Sequence, residues 1–233
     1  MRLRRRTYLA EATYERDKRI RDVAEKFYRQ LLSYLKKYPD ELVPRRDGGF
    51  SVHAAEFWDH PLRKHFGVVF MPKRGSVQGG MGRAGNTDVL VLYNLIAPGN
   101  RKHLYTRTTS LHDVVIHEMV HFLDPGSKYK EGTAKKYDAG QLDAKAYFND
   151  AGEWNAFWQE GAAKLERLIK TDLVKNPKAV THFFGDGSLR ALQDRVNRFW
   201  DVMFLQSMNK KTRRKFDKRL AQLWLNLKKK GLL

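Results

Sequence analysis

The chain contains no cysteine among its 233 residues, which excludes a disulfide framework and any thiol chemistry. Proline is sparse, at seven residues, and no Pro/Ser-rich linker, internal repeat or low-complexity tract divides the chain. One domain spanning residues 1–233 is therefore expected, long enough to bury a sizeable core. Long apolar runs are missing too: none approaches the ~20 residues that a transmembrane helix needs. The start is basic, yet Tyr8-Leu9-Ala10 gives way at once to Glu11, so the apolar centre of a secretory signal is lacking. Glu11, Glu15 and Asp17 also argue against a transit peptide. These absences make the cytoplasm of a microbial or phage-infected cell the expected setting, with no membrane partner. Negative charge is scarce as well: 26 acidic residues face 45 Lys and Arg, for a formal net charge of +19.

What the chain does have is His117-Glu118-Met119-Val120-His121, an H-E-x-x-H. Residues four apart on a helix project from one face, so two imidazole nitrogens can meet one ion. Neutral imidazole is a common zinc ligand, and Glu118, next to the first histidine, can reach a water at the metal and take its proton as general base. A chance match to the three fixed positions is expected on the order of once in a hundred such sequences, so the surroundings matter. Ser110 with Asp113 has the form of a capping box, which predicts a helix starting at Leu111. Val114, Val115, Ile116, Met119, Val120, Phe122 and Leu123 make that helix apolar almost all round, hence buried. Asp124-Pro125-Gly126 should end it. One zinc ion per chain is the expected cofactor.

Zinc with two histidines needs a third protein ligand and leaves a fourth position open. Downstream the chain offers Asp124, Glu131, Asp138, Asp143, Asp150, Glu153 and Glu160. The segment from Glu153 to Glu160 stands out because it opens a second helix, with Trp154, Phe157, Trp158, Leu165, Leu168 and Ile169 on one apolar face. Glu153 and Glu160, seven apart, lie on one flank of that face.

H-E-x-x-H followed, after an insertion, by a helix carrying Glu153-Trp154-Asn155-Ala156 resembles the gluzincin metallopeptidases, and in particular the lethal-factor-like branch and related bacterial and phage proteins. The resemblance covers roughly residues 105–165. It implies a zincin-like core, with His117, His121 and Glu153 as zinc ligands, Glu118 as general base and Ala156 as the small residue of the second motif. It also places Asp124 at an acidic position known in that branch, leaves Glu160 as the alternative third ligand, and makes Tyr147 a candidate donor to the oxyanion. The insertion from Gly126 to Asp150 departs from the family pattern, and Glu160 does not sit where the family's further glutamate would.

Upstream, Gly67–Met71 and Asp88–Ile96 read as strands, separated by the glycine-dense segment Gly75–Gly85. That segment lacks the order of a phosphate loop and reads as a flexible hairpin. The resemblance implies that one of these two strands offers its edge to extended substrate. Elsewhere helices are expected over residues 10–38, stopped by Pro39; over Ser188–Ser207, capped by Ser188; and over Lys211–Lys229, with Pro177 and Gly185-Asp186-Gly187 as punctuation. The expected class is α/β in the α+β sense, helix-rich, with a small sheet packed on the H-E-x-x-H helix and basic helical segments at 1–40 and 188–233.

The basic runs Met1–Arg6, Lys210–Lys215 and Lys228–Lys230 make nucleic acid an expected partner through the termini, beside a polypeptide substrate. Two functions follow. The first is a zinc metallopeptidase, localised by nucleic acid. The alternative is a basic nucleic-acid-binding or virion-associated protein on a zincin-like fold without protease activity, against which an intact Glu118 speaks.

Overall fold

The computed structural model describes residues 2–38, 40–71, 79–93, 108–124, 143–170 and 188–232, with side chains described from residue 14 in the first helix and from residue 111 in the helix that begins at 108. Helix and a single five-stranded mixed sheet make up the described chain, which agrees with the α/β class. Its residues cluster into two compact units, Asp22–Pro125 and Met1–Arg21 with Gly126–Leu233. Among the described residues no helix is long and apolar enough to cross a membrane.

Helix α1 runs from Arg2 to Lys37, eight residues further towards the start than the apolar spacing predicts; the expected stop, Pro39, lies outside the described residues. In the unit Asp22–Pro125, Phe27, Leu31 and Leu35 of α1 are buried. Phe27 is edge-on to Trp58 at 5.0 Å and to Phe66 at 5.5 Å. The sheet comprises β1 (Val43–Pro44), β2 (Phe50–His53), β3 (Phe66–Met71), β4 (Gly79–Ala84) and β5 (Thr87–Tyr93), in the order β1-β2-β3-β5-β4. Only β3 and β5 are parallel, with Val68 opposite Leu90; the other pairs are antiparallel. Phe66–Phe70 are all buried, as expected of a central strand covered on both faces.

The glycine-dense segment differs from the flexible hairpin expected of it. Gly79–Ala84 is a strand, antiparallel to β5, and Gly85-Asn86 is the turn between the two. Gly85 has φ +62°, the left-handed conformation that glycine supplies at the first position of a two-residue hairpin. Residues 75–78, like residues 94–96 at the end of the second expected strand, lie outside the described residues.

In the other unit, α3 (Ala144–Asn149) and α4 (Ala151–Leu168) are followed by α5 (Leu189–Gln193), α6 (Val202–Ser207) and α7 (Lys210–Lys229). Ser188 caps as expected, its Oγ accepting the Ala191 N–H at 3.1 Å. The single helix expected from Ser188 to Ser207 is instead broken. A 3-10 turn over Val196–Arg198 separates α5 from α6, and Asp201 starts α6 by accepting the Phe204 N–H at 3.0 Å. Tertiary packing overrides the helical periodicity at this point. Trp200 lies flat against α4 over Gly161, where a Cβ would collide with the indole, and its Nε1 donates to the Trp158 carbonyl at 3.2 Å. Trp158 stacks on Trp154 and Trp200 and meets Phe216 of α7 edge-on, so the core of this unit is largely aromatic. Helix α7 begins at Lys210, where Asn209 accepts the N–H groups of Lys211 and Thr212 at 2.9 and 3.0 Å. The expected punctuation at Pro177 and Gly185-Asp186-Gly187 lies outside the described residues.

Candidate metal centre

The motif helix α2 spans Thr108–Leu123, so it starts three residues before the predicted Leu111. Asp113, the acidic member of the expected capping box, has its Oδ1 3.0 Å from His112 Nδ1. The side chain of Ser110 and the helix stop at Pro125-Gly126 lie outside the described residues. As the near-continuous apolar pattern demands, Leu111, Val115, Ile116, Met119 and Val120 are fully buried, and α2 packs on β4 and β5.

His112 was not singled out from the sequence. It is fully buried, with Nε2 2.7 Å from Glu25 Oε1 on α1, and Tyr28 meets it edge-on at 4.9 Å. This tie fixes α2 against α1 just ahead of the motif. No local signal could have found it, because the partner is 87 residues away in the chain.

One helical turn on, the Nε2 atoms of His117 and His121 lie 3.3 Å apart, both rings nearly buried. That spacing can be tested against the metal the motif suggests. Two nitrogens bound to zinc at about 2.0–2.1 Å with tetrahedral angles stand about 3.3–3.4 Å apart. The imidazoles are thus already separated as an edge of such a site requires. Glu153 is the third buried donor: His117, His121 and Glu153 each offer a ligand atom, all within 4.8 Å of one another, and the group could hold a metal ion. Two imidazole nitrogens and a carboxylate oxygen are a donor set that zinc accepts.

Glu153 stands in the first turn of α4. Asp150 sets that turn by accepting the N–H groups of Gly152 and Glu153 at 2.9 and 3.5 Å. Asp143 does the same for α3, accepting the Ala146 N–H at 2.6 Å. Two of the acidic candidates are therefore helix caps. Glu160 lies outside the donor group and pairs with Lys164 at 2.8 Å. Asp124 is buried immediately after α2, its N–H bonded to the Val120 carbonyl at 2.9 Å. Tyr147 is on α3, its ring 5.1 Å from Phe148 and 6.2 Å from Phe157. Glu131 and Asp138 lie outside the described residues.

Glu118 is 8 % exposed and faces β4. A Cβ on Gly79 would collide with Val114 and stand 3.4 Å from Glu118 Cγ, so glycine lets this strand lie close against α2 at Val114, beside the glutamate. The neighbouring edge is thus β4, the last strand of the sheet, and not either strand expected from sequence: β3 and β5 are both interior. Compared with protein-family models, with curated proteins and with solved structures, the chain matches none of them.

Proposed function

We propose that the chain is a zinc-dependent endopeptidase of the gluzincin kind, built on a zincin-like core, with His117, His121 and Glu153 holding the metal and Glu118 as general base. The observation that carries the reading is the convergence of the two Nε2 atoms at 3.3 Å, in a buried donor group completed by the Glu153 carboxylate. When bound, zinc polarises a carbonyl oxygen and lowers the pKa of water to about 7. Glu118 takes the proton from the attacking water as the new C–O bond forms, then passes it to the amide nitrogen as the C–N bond breaks. The acceptor is a nearly buried carboxylate, for which water competes little.

Extended polypeptide is the substrate form this surface suits. Gly79, Gly80 and Gly82 leave three of the six positions of the outer strand without side chains, and a peptide laid along it can pair with the backbone beside Glu118. Any peptide that reaches the base must pass close to Gly79. Selection then depends on backbone conformation first and on side chains second.

Metal content tests the proposal directly. Protein purified without a histidine tag is expected to carry one zinc per chain by mass spectrometry, and His117→Ala and His121→Ala are each expected to abolish it. Each substitution removes one of three protein donors, and the remaining pair cannot close a tetrahedral site. Full zinc occupancy in both variants would end the reading.

A further inference from the structure

The third metal donor stands where a helix holds its residues least well. Glu153 is the third residue of α4, and the ladder of that helix begins only after it, with the Trp154 N–H bonded to the Asp150 carbonyl at 2.9 Å. The Glu153 N–H reaches the Asp150 side chain at 3.5 Å. Gly152 beside it adds backbone freedom that alanine would not. Nor does a helix run in from upstream, since α3 ends at Asp150, whose ψ of 140° breaks the helical path. A carboxylate in such a turn keeps one position only if other contacts fix the turn.

Those contacts come from α7, in the same unit, through Arg219. Its Nη1 donates to Asn155 Oδ1 at 2.7 Å and lies 3.2 Å from Asp17 Oδ2 on α1. Asn155 and Asp17 are both buried. The guanidinium carbon also stands 5.1 Å from the Trp154 ring centre and 5.9 Å from that of Trp158. Lys215, one turn earlier on α7, sets its ammonium 3.8 Å from the Trp154 centre. The two residues that follow Glu153 are thus held from α7, one by a charge-assisted hydrogen bond and the other across its ring face.

We infer that Arg219 is a positioning residue for the metal: by holding Asn155 and Trp154 it fixes the first turn of α4, and with it the direction in which Glu153 offers its carboxylate to zinc. A desolvated cluster of arginine, carboxylate and amide adds little stability that apolar packing of the same shape would not. What it adds is direction, which a hydrogen bond imposes and an apolar contact does not. Arg21 makes the comparison within the same helix. It joins α1 to α4 at Gln159 and Glu166, at 2.6 and 2.7 Å, but about two and four turns beyond the donor. The inference rests on the zinc reading above.

The test is the zinc affinity of the full chain, measured by competition with a chromophoric chelator, together with the visible absorption of the cobalt(II)-substituted protein, whose bands report coordination geometry. Asn155→Ala removes the acceptor and leaves Arg219 with Asp17 and both rings. It is expected to weaken zinc about tenfold or more and to alter the cobalt bands. Arg219→Lys keeps a cation beside Asp17, yet one ammonium lacks the rigid fork that serves Asn155 and Asp17 together, so its zinc affinity should fall as well. Circular dichroism checks that both variants fold. Gln159→Met breaks a buried contact in a later turn of α4 and controls for a merely stabilising role: whatever its melting temperature, its zinc affinity should change by no more than about twofold. Zinc held by Asn155→Ala or Arg219→Lys as tightly as by the unaltered chain overturns the inference, as does equal weakening by Gln159→Met. If the unaltered chain itself takes up no zinc, the zinc reading fails and this inference falls with it; if only the variants bind as tightly as the unaltered chain, the zinc reading stands and this inference alone falls.

Discussion

Glu118→Gln is expected to keep its zinc and to hydrolyse peptide about 10²- to 10⁴-fold more slowly than the unaltered chain. The two halves of that result come from different atoms. Glutamine is close to isosteric, so α2 keeps its packing on β4 and β5 and the histidines keep their 3.3 Å separation. What is lost is the ability to accept a proton, since an amide oxygen is a far weaker base than a carboxylate. Glu118→Asp sharpens the experiment: it retains a base but withdraws it by one methylene from a position defined by close approach to Gly79, so activity should fall less than in the glutamine variant. Zinc content equal to that of the unaltered chain with undiminished hydrolysis by Glu118→Gln would remove Glu118 from the reaction.

The second large effect separates two glutamates that sequence spacing alone leaves in competition. Glu153→Ala should empty the metal site or nearly so, while Glu160→Ala should lower zinc affinity by no more than about 10- to 100-fold, the range for residues that act through a ligand. Glu153 is nearly buried and supplies a donor atom near both imidazoles, whereas Glu160 sits one pair of turns further along α4 and bonds Lys164. Competition with a chromophoric chelator gives the affinities. Loss of zinc from Glu160→Ala, with Glu153→Ala still loaded, would reverse the assignment.

The parts of the chain that were legible beforehand are those where a local pattern and a tertiary need coincide. Helix α2 was recognisable because an almost unbroken apolar surface interrupted by His117 and His121 has few other uses. The first turn of α4 was recognisable because Trp154 and Trp158 announce the buried face. Strand β4 was not, since Gly79, Gly80 and Gly82 carry no side chains from which alternation can be read, and its strand character comes from pairing with β5. The break between α5 and α6 was hidden for the opposite reason. Val196, Phe199 and Trp200 keep helical spacing, but Trp200 must lie over Gly161, 39 positions earlier in the chain, and that requirement is invisible within any short window. The ion pair and amide contact of Arg21 with Glu166 and Gln159 were likewise out of reach, being set by packing across more than a hundred residues. Asp143 and Asp150, two of the seven acidic residues that follow the motif, show that a carboxylate's type does not reveal its use; beside a helix start, each serves as a cap.

The glycine-rich outer strand also bears on how the protein behaves in concentrated solution. An outermost strand is a template on which a second chain can add, and stacking of flat, branched or aromatic side chains is what makes such additions persist. Gly79, Gly80 and Gly82 provide no such stack, and Arg83, three-quarters exposed and paired with Asp88 at 3.2 Å, sets a charge near the far end. The edge is therefore open to a single passing peptide yet poor at holding a copy of itself. Stiffening it with valine or isoleucine would exchange transient pairing for self-association.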